Sequence, residues 1–264
     1  MPVVLNARGL CKTFGAVTAA DEVSAAIEKD SVVGLIGTNG AGKTTFINMI
    51  TGYVKPDRGT IEYDSRDVTR LAPREIMRLG ISRSFQVPQL YGSLDVFENM
   101  MIGLGIVLSN AGLGGYFARR GALVPGYGRP AEEVAEHLLG RFGLLEYRSR
   151  NAQVLPGGAR KLLDIALTMV AKPRILLLDE PTSGVSAQEK FGIMQMVLDA
   201  VRAEGTTVLF VEHDMEVVSR FAQRVLAFYD GRIIVDAPPA DALAHPDVQR
   251  YVAGKRDRDE RTSA

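Results

Sequence analysis

This sequence has very little cysteine and no excess of positive or negative charge. Its 264 residues include a single cysteine, Cys11, which excludes an intrachain disulfide and fits a reducing compartment. Lysine plus arginine and aspartate plus glutamate are balanced at 31 each. Nucleic-acid-binding proteins usually carry a basic surplus. We therefore expect no nucleic acid among the partners of this protein.

Long apolar runs are also scarce. The N-terminal residues hold no apolar segment of the length that a signal peptide requires, so none is expected. The best candidate for a membrane span is residues 99–118, which carry no charge but contain five glycines, a serine and two asparagines. A spanning helix needs about 20 predominantly apolar residues. We expect this segment to form a glycine-broken pair of helix pieces, and an apolar surface for a partner is the sharper alternative.

Three short apolar runs are present, and they predict buried parallel strands. "VVGLI", "RILLLDE" and "TTVLFVEH" begin at Val32, Arg174 and Thr206 and are apolar on both faces. "RVLAFYDGRIIVDA" predicts a hairpin with a type I′ turn at Asp230 and Gly231. Helical patterns occupy residues 43–51, 131–142, 159–171 and 187–203. Strands that alternate with helices predict an α/β core.

The middle of the chain differs from this pattern. Residues 88–155 contain no comparable apolar run but have helical periodicity and Gly- and Pro-rich breaks. We predict one domain over residues 1–254, with a helical subdomain at about residues 88–172 inserted into the α/β core. Residues 255–264 are short and highly charged, which predicts a solvated, disordered tail.

A glycine-rich stretch after the first apolar run carries the clearest chemistry. "GTNGAGKTT", residues 37–45, fits G-x-x-x-x-G-K-[ST] between a predicted strand and a predicted helix, the context of a phosphate-binding loop. Glycines let the backbone turn its N–H groups toward phosphate oxygens, and the helix N-terminus adds positive potential. Lys43 is expected on the β- and γ-phosphates and the Thr44 hydroxyl on Mg²⁺. The candidate nucleotide-binding residues are Gly37, Thr38, Asn39, Gly40, Ala41, Gly42, Lys43, Thr44 and Thr45.

A second phosphate-site element follows from "RILLLDE". Four apolar residues predict a buried strand that delivers Asp179 at its C-terminal end, where ligands bind in open α/β sheets. Asp179 is expected to hold Mg²⁺ through water, and Glu180 to polarise the attacking water. A strand followed by a helix-capping acid is the alternative, which the presence of the phosphate loop disfavours.

With these motifs in order, nearly the whole chain resembles the nucleotide-binding subunits of ABC transporters. The resemblance implies a P-loop NTPase core with antiparallel β elements at the N-terminus. It makes Phe14 an adenine-stacking residue and Gln86, in "SRSFQVPQLYGSLDVFENM", a contact to Mg²⁺ and water. It also makes Glu180 the catalytic carboxylate and His213, in "VLFVEHDM", a γ-phosphate contact. The implied cofactors are ATP and Mg²⁺.

Within that family, the loop sequences most resemble those of the branch that imports branched-chain amino acids and related amides. The resemblance implies a prokaryotic protein on the cytoplasmic face of the inner membrane, peripheral to it. It would work with a second ABC ATPase subunit, as a homodimer or heterodimer, with integral membrane permease subunits, and indirectly with a periplasmic solute-binding protein. Apolar residues such as Met100, Met101 and Ile102 are expected to contact the permease, although packing within the subdomain explains them equally well.

The signature stretch "VLPGGARKLLDIAL" departs from the Leu-Ser-Gly-Gly-Gln of the family. Gly157 and Gly158 are kept, and they are expected to contact the ATP of the partner subunit. Pro156 replaces the serine, Ala159 replaces the glutamine, and Ser186 stands where an acid or asparagine is usual in the D-loop.

These departures motivate a second hypothesis, a nucleotide-binding gating subunit with one degenerate site in a hetero-pair. A soluble ABC ATPase of DNA repair or translation is disfavoured by the charge balance and the single nucleotide-binding domain.

Overall fold

A computed structural model describes residues 2–84, 89–113 and 123–252. The chain divides into two compact units, one formed by Met1–Ile76 with Leu209–Ala264 and the other by Met77–Val208. The predicted helical subdomain falls within the second unit, which also contains strands and a further helix. The disordered tail at residues 255–264 lies outside the described residues, and it stays a prediction together with the single-domain boundary.

The described residues form ten strands and eight α-helices. The strands are β1 (Val3–Phe14), β2 (Val17–Glu28), β3 (Val32–Gly37), β4 (Arg58–Tyr63), β5 (Arg66–Asp67), β6 (Ile81–Arg83), β7 (Ile175–Asp179), β8 (Thr207–Val211), β9 (Arg224–Tyr229) and β10 (Arg232–Ala237). The α-helices are α1 (Lys43–Ile50), α2 (Pro73–Arg78), α3 (Val96–Asn110), α4 (Ala131–Arg141), α5 (Gly157–Met169), α6 (Lys190–Ala203), α7 (Met215–Phe221) and α8 (Pro239–Ala244).

The first unit contains two sheet regions. Strands β2, β1, β4 and β5 form an antiparallel sheet in that order, which agrees with the antiparallel β elements expected at the N-terminus. In the other region β3 runs parallel to β9, and β9 is antiparallel to β10. Asp230 and Gly231 both have positive φ, at 47° and 74°, as a type I′ turn requires. The predicted hairpin is therefore confirmed.

The three apolar runs form the strands predicted for them. Every residue of β3 and β8 is buried, and so are the first four residues of β7. Helices α1, α4 and α5 lie within two residues of their predicted bounds. Helix α6 begins at Lys190 rather than 187, because residues 187–189 belong to a turn in which the backbone N–H groups of Glu189 and Lys190 both bond to the carbonyl of Ser186.

The second unit pairs β6 with β7 in parallel and packs α3, α4 and α5 together. Helix α3 continues without a break through Gly103 and Gly105 and ends at Asn110. Residues 114–118 of the segment lie outside the described residues, so the expected pair of helix pieces stays a prediction. A capping box secures its start, in which Asp95 accepts from the backbone N–H of Glu98 and the Glu98 carboxylate accepts from that of Asp95. Gly103 packs closely against α5, since a Cβ there would lie 3.1 Å from a Leu167 methyl carbon.

Within the described ranges, no helix is both long enough and apolar enough to span a membrane. Helix α3 has 15 residues. This length is below the roughly 20 residues that a bilayer crossing takes.

Replacement of Asp95 by alanine should destabilise the protein by about 1 kcal/mol, because the Glu98 backbone N–H then loses its capping acceptor. The free energy of unfolding, measured with urea, checks this. Asp95→Asn is the matched control, because asparagine caps helices about as well as aspartate and should preserve stability. Equal losses in the two variants would contradict the capping role.

Candidate functional site

The loop after β3 passes close to other backbone at two glycines. A Cβ on Gly37 would lie 2.5 Å from the carbonyl oxygen of Phe228, and one on Gly42 would lie 2.6 Å from that of Ala19. Their φ angles are 151° and 103°, in the region that favours glycine. Both positions therefore require glycine for space as well as for backbone conformation.

The turn between β9 and β10 is hydrogen-bonded to this loop. The backbone N–H of Gly231 donates to the carbonyl of Ala41 at 3.1 Å. Phe46 of α1 packs against Phe228 of β9, with ring centroids 5.5 Å apart. The loop thus keeps its shape through contacts of its own unit, and a phosphate would meet a preformed backbone.

Lys43 is the buried charge of this loop. Its side chain folds back over the loop, and Nζ donates to the carbonyls of Gly37 at 2.7 Å and Thr38 at 2.9 Å. The residue is only 6% exposed. An ammonium at this depth needs such acceptors, and it stands where phosphate oxygens would approach the loop.

The remaining loop residues differ in exposure. Thr38, Asn39 and Gly40 are exposed, and so is Thr44 in the first turn of α1, whereas Ala41 is buried and Thr45 half-buried. Gly42 caps α1 in a left-handed conformation without a side-chain cap, and no acidic residue occupies its first turn. The N-terminal N–H groups and the Thr44 hydroxyl are thus positioned for an anion and its counter-cation.

His213 belongs to the same unit as this loop. It is exposed two residues after β8. The preceding residue, Glu212, donates its backbone N–H to the carbonyl of Leu35, two residues before Gly37. The ends of β3 and β8 are therefore in register, and the structure brings His213 to the edge that bears the glycine loop.

Phe14 ends β1, opposite Val17 of β2. Its side chain is 49% exposed, and Ala19, two residues beyond Val17, lies against Gly42. Asp57 fixes this end of β1, since its carboxylate accepts from the Lys12 ammonium and the Thr13 backbone N–H. These bonds lower the pKa of Asp57 to about 2, so the anchor stays charged at neutral pH. The aromatic ring is thus exposed to solvent at the end of β1, in the same unit as the loop.

The second unit holds Asp179 and Glu180. Asp179 ends β7, and its Oδ2 lies 2.5 Å from an Arg83 nitrogen. Lys161 of α5 donates to the Asp179 carbonyl at 3.3 Å. Glu180 is half-buried and has a φ of 48°. A non-glycine residue in this region is strained by roughly 1–3 kcal/mol, and such strain clusters at functional sites.

The signature stretch begins helix α5. Pro156 occupies the N-cap with no side-chain cap, and Gly157 and Gly158 form the first two positions. A Cβ on Gly158 would lie 2.7 Å from the Cδ1 of Ile193, so Ile193 of α6 would have to shift to admit a larger residue. Ala159 is 8% exposed. The exposed helix start therefore keeps the N–H groups that an anion needs.

Ser186 keeps an acidic partner in the D-loop position. Its hydroxyl donates to the Glu189 carboxylate at 2.6 Å. The charge missing at residue 186 is thereby present three residues later.

The remaining candidate, Gln86, lies outside the described residues. Within the described ranges, no cluster of three or more His, Cys, Asp or Glu residues could hold a metal on its own. Mg²⁺ usually keeps several waters and is held by one or two protein groups with substrate phosphates. The Thr44 hydroxyl of the first unit and the Asp179 carboxylate of the second unit are groups of a type that can bind this ion.

Three charged residues around β7 and α5 were not predicted as part of the site, and two of them, Arg83 and Lys161, contact Asp179. Arg83 precedes Gln86 by three residues, and Lys161 and Asp164 lie on α5, with exposures of 3% and 4% for the last two. Their signal was available in part, because two opposite charges within an otherwise apolar helix face need partners. The identity of those partners depends on the tertiary structure.

Comparison with known proteins gives consistent results. The family model described as "ABC transporter" matches residues 20–183. The LivG transport ATP-binding protein of Salmonella typhimurium is 33% identical over 255 residues, which cover 96% of this chain and 98% of LivG. BraF of Pseudomonas aeruginosa is 32% identical with the same coverage. Both carry names as high-affinity branched-chain amino acid transport ATP-binding proteins.

A solved structure agrees as well. The ADP conformation of MJ1267, an ATP-binding cassette of an ABC transporter, superimposes with a TM-score of 0.79 and 30% identity, covering 95% of this chain and 98% of MJ1267. The predicted P-loop NTPase fold is thereby confirmed. The chain therefore belongs to the ABC transporter family and is an ATP-binding subunit that hydrolyses ATP.

Proposed function

We propose that this chain powers the import of branched-chain amino acids or related small polar solutes by hydrolysing ATP with Mg²⁺. The observation that carries the ATP site is the preformed glycine loop with the buried Lys43. The solute class rests on the similarity to LivG and BraF at 33% and 32% identity. A solute would be recognised by membrane and periplasmic partners rather than by this chain.

Nucleotide binding begins at residues 37–45. The Lys43 ammonium exchanges its bonds to the Gly37 and Thr38 carbonyls for phosphate oxygens, which are stronger acceptors because they are charged. The backbone N–H groups of the loop surround the phosphates. Phe14 stacks on the adenine, a role that its exposed ring in the same unit as the loop supports.

Mg²⁺ neutralises phosphate charge and orients the phosphate oxygens when it is bound. Thr44 and Asp179 would hold it, and Gln86 is the third proposed contact. Glu180 orients and deprotonates the attacking water, and His213 contacts the γ-phosphate. Its position at the edge that bears the glycine loop supports the role of His213.

Two such subunits bind ATP between them, and Gly157 and Gly158 contact the nucleotide held by the partner. The exposed N-terminus of α5 supports this role, since its N–H groups carry no side-chain cap. Closure on ATP and reopening after hydrolysis would move permease subunits at the cytoplasmic face of the membrane. A periplasmic solute-binding protein would deliver the solute.

Helix α3 offers part of the permease contact. Met100 is fully buried and is excluded from this role. Met101 and Ile102 are half-exposed, and Ile106, one turn beyond Ile102, is 51% exposed. These three side chains form an apolar surface on α3.

Glu180→Gln should lower the ATPase rate at least 100-fold and leave nucleotide affinity within about threefold, because the amide cannot accept the proton of water. Steady-state phosphate release and binding of a fluorescent ATP analogue measure the two effects. Glu133→Gln changes an exposed glutamate of α4 and serves as the control. An unchanged rate in Glu180→Gln would reject Glu180 as the base.

Pro156→Ser should raise the ATPase rate at limiting ATP by about tenfold, the lower end of what one charge-assisted hydrogen bond supplies. Pro130→Ser is the matched control. Pro130 caps α4 with φ −56° and ψ 153°, and Pro156 caps α5 with φ −53° and ψ 150°. Both serines can cap a helix, but only the one at 156 can reach a nucleotide. Equal rates in both variants would argue against the trans contact.

Met101→Glu should uncouple ATP hydrolysis from solute uptake in a reconstituted transporter, because a charge would enter an apolar contact. Met101→Leu, which is similar in volume, should preserve coupling. The ratio of solute imported to ATP hydrolysed measures the effect. A folded Met101→Glu protein with unchanged coupling would place the permease contact elsewhere.

A further inference from the structure

Arg83 and Asp179 form an ion pair at the ends of two neighbouring strands. The contact joins an Arg83 terminal nitrogen to Oδ2 of Asp179 at 2.5 Å, and the side chains are 10% and 13% exposed. An ion pair at this depth is screened little by salt. Loss of Arg83 would remove the counter-charge that lies closest to the Asp179 carboxylate.

The strand register explains why these two residues meet. In the parallel β6–β7 ladder, Arg83 lies opposite Leu177. Asp179 follows Leu177 by two residues and therefore shares its face of the sheet. The long arginine side chain covers the remaining distance along the strand. The adjacent Ser84 N–H bonds to the Leu177 carbonyl at 2.9 Å, which fixes the register at this point.

A second cation, the Lys161 ammonium, contacts the backbone of Asp179. Lys161 of α5 donates to the backbone carbonyl of Asp179, whereas Arg83 contacts the carboxylate. On the same helix, Asp164 accepts from the backbone N–H of Gln89 at 3.0 Å. Asp179 thus remains near a positive charge when Arg83 is removed, so a variant at residue 83 should still fold.

The pairing has a consequence for the carboxylate that is proposed to hold the metal. A guanidinium and a divalent cation repel each other, and both are attracted to the same negative group. We propose that Arg83 is a positioning residue that holds the Asp179 carboxylate and competes with Mg²⁺ for it. Metal binding then requires one cation to replace another on Asp179. This inference rests on the proposed role of Asp179 in the metal site.

Titration of Mg²⁺ against the full chain tests the competition, with enhanced binding of a fluorescent ATP analogue as the signal. This readout reports metal-assisted binding and needs no turnover. Arg83→Gln should lower the half-saturating Mg²⁺ concentration about tenfold, as expected for the loss of a charge-assisted hydrogen bond that opposed the metal. An unchanged or raised Mg²⁺ requirement in the folded variant would overturn the inference.

Two further variants serve as a control and as a second test. Arg148→Gln removes an arginine that pairs with Glu136 at an exposed place in the same unit, and it should leave the Mg²⁺ requirement unchanged. Arg83→Lys keeps the charge but replaces the guanidinium with a flexible ammonium that holds a carboxylate less firmly. It should lower the requirement about twofold to threefold. If Arg83→Gln does not fold, a requirement in Arg83→Lys that is unchanged or raised overturns the inference.

Asp179→Asn separates failure of this inference from failure of the proposed function. If Asp179→Asn keeps the wild-type Mg²⁺ dependence, Asp179 has no part in the metal site and the proposed function fails at that residue. If Asp179→Asn loses the dependence while Arg83→Gln matches wild type, only the role of Arg83 fails. The double variant should behave like Asp179→Asn alone, because Arg83 acts through that carboxylate.

Discussion

The nucleotide loop of this protein depends on a constraint of space. Between β3 and α1 the chain passes within reach of the Phe228 and Ala19 carbonyls, where a Cβ on Gly37 or Gly42 would overlap them. The glycines allow the backbone to close around the Lys43 ammonium, whose acceptors are the loop's own carbonyls. Strands β2, β3 and β9 must all be in place for this loop to hold its shape. The loop is therefore a product of the whole first unit.

In the second unit, paired charges rather than limited space fix the position of the residue at the end of β7. Asp179 has Arg83 on its carboxylate and Lys161 on its carbonyl. The two cations come from a strand and a helix that are far apart in the chain. Buried charges of this kind stabilise a structure only when each has a partner. The pairing thereby ties the signature helix, through Lys161, to the end of the strand that bears Asp179.

The departures from the family pattern at the signature and D-loop are smaller in the structure than in the sequence. Pro156 leaves the start of α5 exposed, and the two glycines keep their positions. Ser186 recovers a carboxylate partner through Glu189. These features retain the groups that recognise an anion, since those groups are backbone N–H rather than side chains. A hydroxyl at residue 156 is the one group that is not recovered.

By itself, the sequence determined the α/β class, the glycine loop and the strand that ends in Asp179, since glycine spacing and apolar runs are local signals. It also determined the type I′ hairpin, because Asp230 and Gly231 tolerate positive φ. The close approach of α3 to Leu167 at Gly103 belongs to the tertiary packing, which periodicity does not reveal. The burial of Met100 and the pairing of Arg83 with Asp179 were decided in the same way. Both depend on which residues meet across the unit, and partners distant in sequence leave no local pattern.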